Sequence, residues 1–357
     1  MGNNQKQASS GFIAGPIADT VFVIAAPLLA VIVFIPFRVT PLLTQVLPDE
    51  DTLIRGNRSL TDAFIHVVIF AHLAHTWFRS HLNRDIFKLF PLRFTVVPIA
   101  LFAALMLSSW TLALVAVVAI WWDVYHSAMQ TFGFARIYDI KRGNDAQVGR
   151  NLDFLLNLVL YAGPILGGVS FMTHLTKQNE FLSGIKLPEL ATAMFTQNPI
   201  TAVTSRYITF VVVGVCIPFC VYYIYAYWRL HRKGYKISFQ KVFLLAILAV
   251  VSLTCWGFDS FGEAFFIMNF FHAWQYFFIV WYLEKKNITS VFGLNRIASG
   301  RQISLAIYVF VGVAYGVFTM LDLPLGNRTM LAIILVCSIM HFWYDGFIWS
   351  VRKGQIQ

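Results

Sequence analysis

Charge is scarce in this sequence. Asp, Glu, Lys and Arg make up 12% of its 357 residues, about half the share usual in soluble domains. A soluble globular surface of that size could not be covered with so few charges, so that class is excluded. Acidic residues are the scarcer sign, with 17 Asp and Glu against 27 Lys and Arg, a formal charge of +10. The basic residues form no block; they lie in short stretches between apolar runs, which argues against a nucleic-acid partner. Cysteine is also rare. Cys216, Cys220, Cys255 and Cys337 all fall inside apolar segments, and no CxxC occurs, so neither a disulfide framework nor a thiolate zinc site is expected. There is no low-complexity tail and no internal repeat. Met1 to Ser10 is polar and leads into a full-length apolar segment, so that segment is expected to be a permanent helix and not a cleaved signal peptide.

What fills the chain is hydrocarbon. It is 58% hydrophobic, with 34 phenylalanines and a mean hydropathy of +0.67. Apolar runs long enough to cross a bilayer recur throughout. The pattern predicts an all-α polytopic transmembrane bundle, one integral-membrane domain over 1–357. About ten spans are expected, at 17–37, 60–79, 94–109, 110–135, 152–173, 203–228, 241–258, 263–284, 303–321 and 329–350. The polar stretch 174–202 reads as an extramembrane outer loop. Trp121-Trp122, Tyr222-Tyr223 and Trp281-Tyr282 sit near segment ends, where interfacial aromatic belts form. If the N-terminus is cytoplasmic and the spans alternate, the inner side carries 20 basic residues and the outer side 7. That bias predicts cytoplasmic N- and C-termini. The expected location is a bacterial inner membrane, with membrane lipids as the surroundings.

Ionisable groups inside such segments are costly and mark function. Five histidines lie there, His72, His75, His126, His272 and His341, spread over four segments. At a rise of ~1.5 Å per residue, all five fall in one layer from the midplane toward the inner face. Helical spacing gives them polar company. Asp123, His126 and Gln130 share a face; so do Asn269, His272 and Tyr276; and His341 and Asp345 are one turn apart. The second ring nitrogen of a ligating histidine usually donates to a carboxylate or carbonyl, and Asp123 and Asp345 are suited to that or to direct ligation. Metal ligands are therefore expected among His72, His75, His126, His272, His341, Asp123 and Asp345, with Gln130 and Tyr276 as catalytic residues that orient substrate or oxygen. His66 groups with Asp62, and Glu263 lies on the opposite side of its helix from His272; whether either belongs to the site stays open. His81 and His231 in basic loops, and His174 at an outer helix end, read as solvated.

Imidazole and carboxylate donors without thiolate suit a transition metal, iron first, in a mononuclear or dinuclear site. Bis-histidine haem in an electron-transfer protein is the main alternative. A proton- or metal-coupled transporter is a second one; the Gly163-Pro164 and Gly167-Gly168 pairs interrupt a span, but without a counterpart elsewhere they read as a kink.

The histidine-rich helical design resembles, in its chemistry, the membrane non-haem iron enzymes: fatty-acid desaturases, hydroxylases and carotenoid-cleaving membrane dioxygenases. Their HxxxH and HxxHH boxes are represented here only by His72-Leu-Ala-His75. The runs from Asn269 to Asn287 and from His341 to Trp349 are similar to those of uncharacterised multi-histidine bacterial membrane proteins. The resemblance covers a few short motifs and specifies neither activity nor substrate; the expectation of a metal-dependent membrane oxidoreductase or oxygenase, with a lipophilic small-molecule substrate and a cytoplasmic electron donor, rests on the ligand set and its place in the inner half of the bilayer.

Overall fold

The computed structural model describes residues 11–39, 60–168, 202–259, 261–321 and 327–349, and these are helical almost throughout. The expected outer loop, 174–202, falls outside the described residues except at its last position, as does His174. α1 (Pro16–Asp19) passes through a π-helical turn (Thr20–Ile24) into α2 (Ala26–Val39). α3 (Leu60–Ser80), the short α4 (Arg84–Leu89), α5 (Pro91–Leu107) and α6 (Ser109–Lys141) follow, then α7 (Arg150–Gly167). After the gap come α8 (Ala202–Arg232), α9 (Phe239–Phe258), α10 (Phe261–Val291), α11 (Gly300–Phe318) and α12 (Asn327–Ile348).

Every apolar run read from the sequence coincides with a helix. Six of these helices, α6 and α8 to α12, are long and apolar enough to cross a bilayer, and the α1–α2 pair would make a seventh if it acts as one span. That pair is bent by 61°. The bend has a local cause: Pro27, at the second position of α2, has no N–H to continue the helical ladder, and the chain relaxes through the wide π turn. Buried Asp19 secures the entry by accepting the backbone N–H groups of Ile13 (2.6 Å), Ala14 (2.9 Å) and Gly15 (3.2 Å).

The described residues fall into two compact units. The first contains those up to Ile32, those of 124–181 and those of 197–272; the second contains those of 33–123 and 273–357. In the first unit α7 packs on both α8 and α9. Small residues permit the approach: a Cβ on Gly167 would come within 3.0 Å of the Val212 side chain, and the Ser252 hydroxyl donates to the Leu160 carbonyl at 2.5 Å. The Gly-rich end of α7 therefore serves helix contact, in addition to the kink expected from Pro164.

In the second unit α3 is the hub, packed against α11 and α12, while α5 packs on α12. Gly312 and Gly316, a GxxxG pair on α11, face α3. A Cβ on Gly312 would lie 2.1 Å from His75 Cε1, and one on Gly316 would lie 2.6 Å from the Val67 carbonyl oxygen. An aromatic cluster of Phe90, Phe94, Tyr344 and Phe347 joins α5 to α12, with Phe94 edge-on to Tyr344 at 4.7 Å. His81 is not the solvated loop residue expected. It is half-buried and bridges the Ser80 hydroxyl (2.8 Å) and the Phe94 carbonyl (3.0 Å), and burial lowers its pKa.

Gly312→Ala should overpack the α3–α11 contact, costing about 1–3 kcal/mol in thermal unfolding of the detergent-solubilised protein. Gly346→Ala, where an added Cβ meets nothing within 4 Å, should leave the midpoint almost unchanged.

Candidate metal centre

The second unit contains a chain of four polar side chains, with His72 beside it, from three helices. α3 supplies His72 and, one turn later, Thr76; α12 supplies His341 and Asp345; and the second-unit part of α10 supplies Tyr276. His72, Thr76, Tyr276 and His341 are buried and Asp345 is half-buried. The His72 and His341 rings stand 4.8 Å apart and nearly perpendicular, and Tyr276 is edge-on to His341 at 4.7 Å. A ligating atom of His72 lies within 4.8 Å of one on His341, and His341 is equally near an Asp345 carboxylate oxygen. These separations are within reach of one ion after a small ring rotation, since metal–nitrogen bonds are about 2.0–2.1 Å.

Hydrogen counting orients the chain. The Tyr276 hydroxyl donates to Asp345 Oδ1 at 3.0 Å. Its single proton is then committed, so at its 2.8 Å contact with Thr76 Oγ1 it must accept. Thr76 has in turn spent its proton on Tyr276 and must accept from His341 Nδ1, with which it is also paired. The direction runs His341 → Thr76 → Tyr276 → Asp345. It places the His341 proton on Nδ1, the tautomer whose Nε2 carries a lone pair. Sequence reasoning assigned Asp345 to orient His341 directly; the structure does so through Thr76 and Tyr276. Thr76 was missed, although it is four residues from His72 and shares its helix face.

In the first unit α6 supplies His126 and α10 supplies His272, both buried, with rings 4.8 Å apart at an interplanar angle of 77°. Gln130, expected to orient substrate, donates from Nε2 to the His272 backbone carbonyl at 3.1 Å and so ties α6 to α10 at the level of the two rings. Asn269 turns back onto the Phe265 carbonyl of its own helix at 3.1 Å.

The remaining expected residues divide. Asp123 is buried on α6, three residues before His126. His75 is set apart from His72: its Nδ1 lies 2.6 Å from the Ala71 carbonyl and its Nε2 3.0 Å from the Tyr308 carbonyl. Both ring nitrogens thus face backbone oxygens, and the ring is packed by Tyr308 at 4.0 Å and Phe277 at 4.8 Å. In this arrangement His75 braces α3 against α11 and offers no nitrogen to an ion. His66 pairs with Thr319 Oγ1 at 2.9 Å, also at that helix contact. Glu263 lies in the first turn of α10, well before His272.

A second polar constellation was not recognised in the sequence. Arg136 and Lys241, read there as loop charges, are buried. Asp153 Oδ2 receives Arg136 at 2.5 Å and Lys241 at 2.7 Å, while Asp139 Oδ2 receives both at 2.8 Å. The hydroxyls of Tyr223 and Tyr227 donate to Asp153 Oδ1 at 2.8 and 2.7 Å. Two acids and two bases thus close on each other at the ends of α6, α7, α8 and α9. Arg79, also read as a loop charge, forms a buried ion pair with Glu284, whose carboxylate additionally takes Asn83 and Asn287. These donors came from segment ends, where charges are ordinarily solvated, so sequence position alone hid them.

Comparison of the chain with family models, with curated proteins and with solved structures finds no match.

Removing one partner of the four-charge knot strands the others in the interior. Lys241→Met should cost about 3–5 kcal/mol in unfolding free energy. Arg232→Gln, an exposed basic side chain one turn from the knot's Tyr227, should change it by less than about 0.5 kcal/mol.

Proposed function

We propose that this chain is an integral-membrane metalloprotein that holds a transition metal, iron first, among its buried histidines and carries out oxidoreductase chemistry on a lipophilic substrate. The observation that carries this reading is the one-way hydrogen-bond chain ending at His341. A tautomer fixed through three partners, on a ring 4.8 Å from a second buried imidazole, is costly to build in an apolar bundle and is what a ligating histidine requires. The donors are imidazole and carboxylate, which suit iron, and no cysteine joins the candidate groups among the described residues.

His72 and His341 are the first ligands, with Asp345 as an orienting carboxylate or a further ligand. His126 and His272 form a pair of their own in the first unit, with ring centres 4.8 Å apart, and their reading as ligands rests on helical spacing: His272 lies one turn before Tyr276 on α10, and His126 lies one turn after Asp123 on α6. Bound iron would supply oxygen activation or Lewis-acid polarisation. The protein's own residues would then keep His341 in one tautomer, hold Tyr276 and Asp345 as a proton-bearing pair beside the ligands, and exclude water through the surrounding aromatic rings. The haem alternative is less favoured, because two imidazoles on opposite sides of one haem iron would hold their ring centres roughly 6 Å apart, from ~2 Å of metal–nitrogen bond on each side plus the ring radius.

The full reading includes ten spans with both termini in the cytoplasm of a bacterial inner membrane, and a cytoplasmic electron donor. It is supported by the match of all ten apolar runs to helices and by the bias of 20 basic residues against 7. Arg79, Arg136 and Lys241 belong to that count yet serve internal ion pairs, so the topogenic excess is smaller than the sum.

Elemental analysis of the purified protein with an optical spectrum is the direct test. Stoichiometric iron without Soret or α bands is the expected result; absence of any transition metal overturns the proposal, and haem bands transfer it to the electron-transfer alternative. His72→Ala and His341→Ala should abolish metal retention. Thr76→Val should weaken metal affinity about 10–100-fold by releasing the His341 tautomer, whereas Thr76→Ser should restore it.

A further inference from the structure

The first unit carries a cavity of about 490 Å³ at the meeting of the α7 start and the α8 end, lined by Arg150, Arg229 and Lys233 together with Tyr222, Tyr225 and Asn151. We propose that it binds the headgroup of an anionic phospholipid, a phosphodiester whose acyl chains run along α8.

Three observations lead there. The first is charge without compensation: three cationic side chains line the cavity and no carboxylate does. Elsewhere in this unit the opposite holds, since Arg136 and Lys241 are each neutralised by Asp139 and Asp153. Basic residues that served topology alone would need neither a shared cavity nor the exclusion of acids from it. The second is position. α8 is a long apolar helix, and none of its most apolar stretch is buried, so in a bilayer it faces lipid. Ile224 is 69% and Val221 62% exposed beside the cavity, a surface that acyl chains cover while the headgroup reaches the cations one or two turns on. Tyr222 and Tyr225 mark the interfacial level at which phosphates lie. The third is size. The cavity exceeds by far a phosphate ion, which has only a few times the ~30 Å³ share of a water molecule, and leaves room for a substituted glycerophosphate. The guanidinium of Arg229 is placed over the Tyr225 ring at 5.9 Å and that of Arg150 over Phe132 at 5.7 Å, so two of the three cations are held by aromatic faces.

The test uses the full chain in nanodiscs of phosphatidylcholine with a minority of phosphatidylglycerol, then native mass spectrometry of the lipids that remain bound. Wild type should retain phosphatidylglycerol in excess of its share. Arg150→Gln, Arg229→Gln and Lys233→Gln should each lower that excess roughly fivefold, the effect of one cation near an anionic membrane surface. Arg232→Gln and Lys236→Gln, from the same basic stretch but outside the cavity lining, should leave it unchanged. Equal losses in those two variants would show diffuse surface attraction and overturn the site. No enrichment in wild type would overturn it as well, and displacement of phosphatidylglycerol by inorganic phosphate would overturn the lipid assignment in favour of a soluble anion.

Discussion

A polar side chain inside an apolar helix must find its partner on another helix or lose several kcal/mol. That constraint organises this protein. Several clusters of its buried polar groups join helices that would otherwise share only hydrocarbon contacts. His75 reaches from α3 to the α11 backbone, Arg79 from α3 to Glu284 on α10, and the Asp139–Asp153 knot gathers four helix ends. Apolar packing alone discriminates weakly among helix neighbours in lipid, because lipid tails compete equally well. These polar clusters supply the specificity.

The same constraint separates bracing histidines from candidate ligands. His75 and His66 are engaged with groups at the α3–α11 contact, where the Gly312 and Gly316 pair brings the backbones close enough to bond. His341 differs because its partner is the start of a relay ending on a carboxylate. A hydroxyl has one proton, so two hydroxyls in series transmit direction, and the carboxylate at one end determines which imidazole nitrogen is protonated at the other. Rigid placement of that relay on three helices is what a metal site needs from its supporting residues.

Much of the fold was legible. All ten apolar runs coincide with helices, because hydrocarbon length and helical hydrogen bonding leave little freedom, although α6 and α10 run on past the expected ends to Lys141 and Val291. The bend between α1 and α2 was not anticipated, although Pro27 stands at its origin. Of the site, helical periodicity put His341 and Asp345 one turn apart and Tyr276 on the His272 face of its helix; that Tyr276 meets Asp345 across helices was not visible. It also grouped His75 with His72 on angle alone; a difference of ~60° on a helix is enough to point one ring to α12 and the other to α11. Gln130 and His126 were grouped by periodicity, but that Gln130 would hold a backbone carbonyl was not visible.

The amino-acid order by itself determined that the chain is a helical membrane protein and that its interior is rich in imidazole, since both follow from local composition and a 3.6-residue period. Only the tertiary structure decided which imidazoles have nitrogens committed to backbone oxygens, which charges are buried in pairs, and that Thr76 stands between His341 and Tyr276. Those outcomes depend on which helix packs against which and at what rotation. Neighbour choice among apolar helices leaves almost no trace in the periodicity of any one of them.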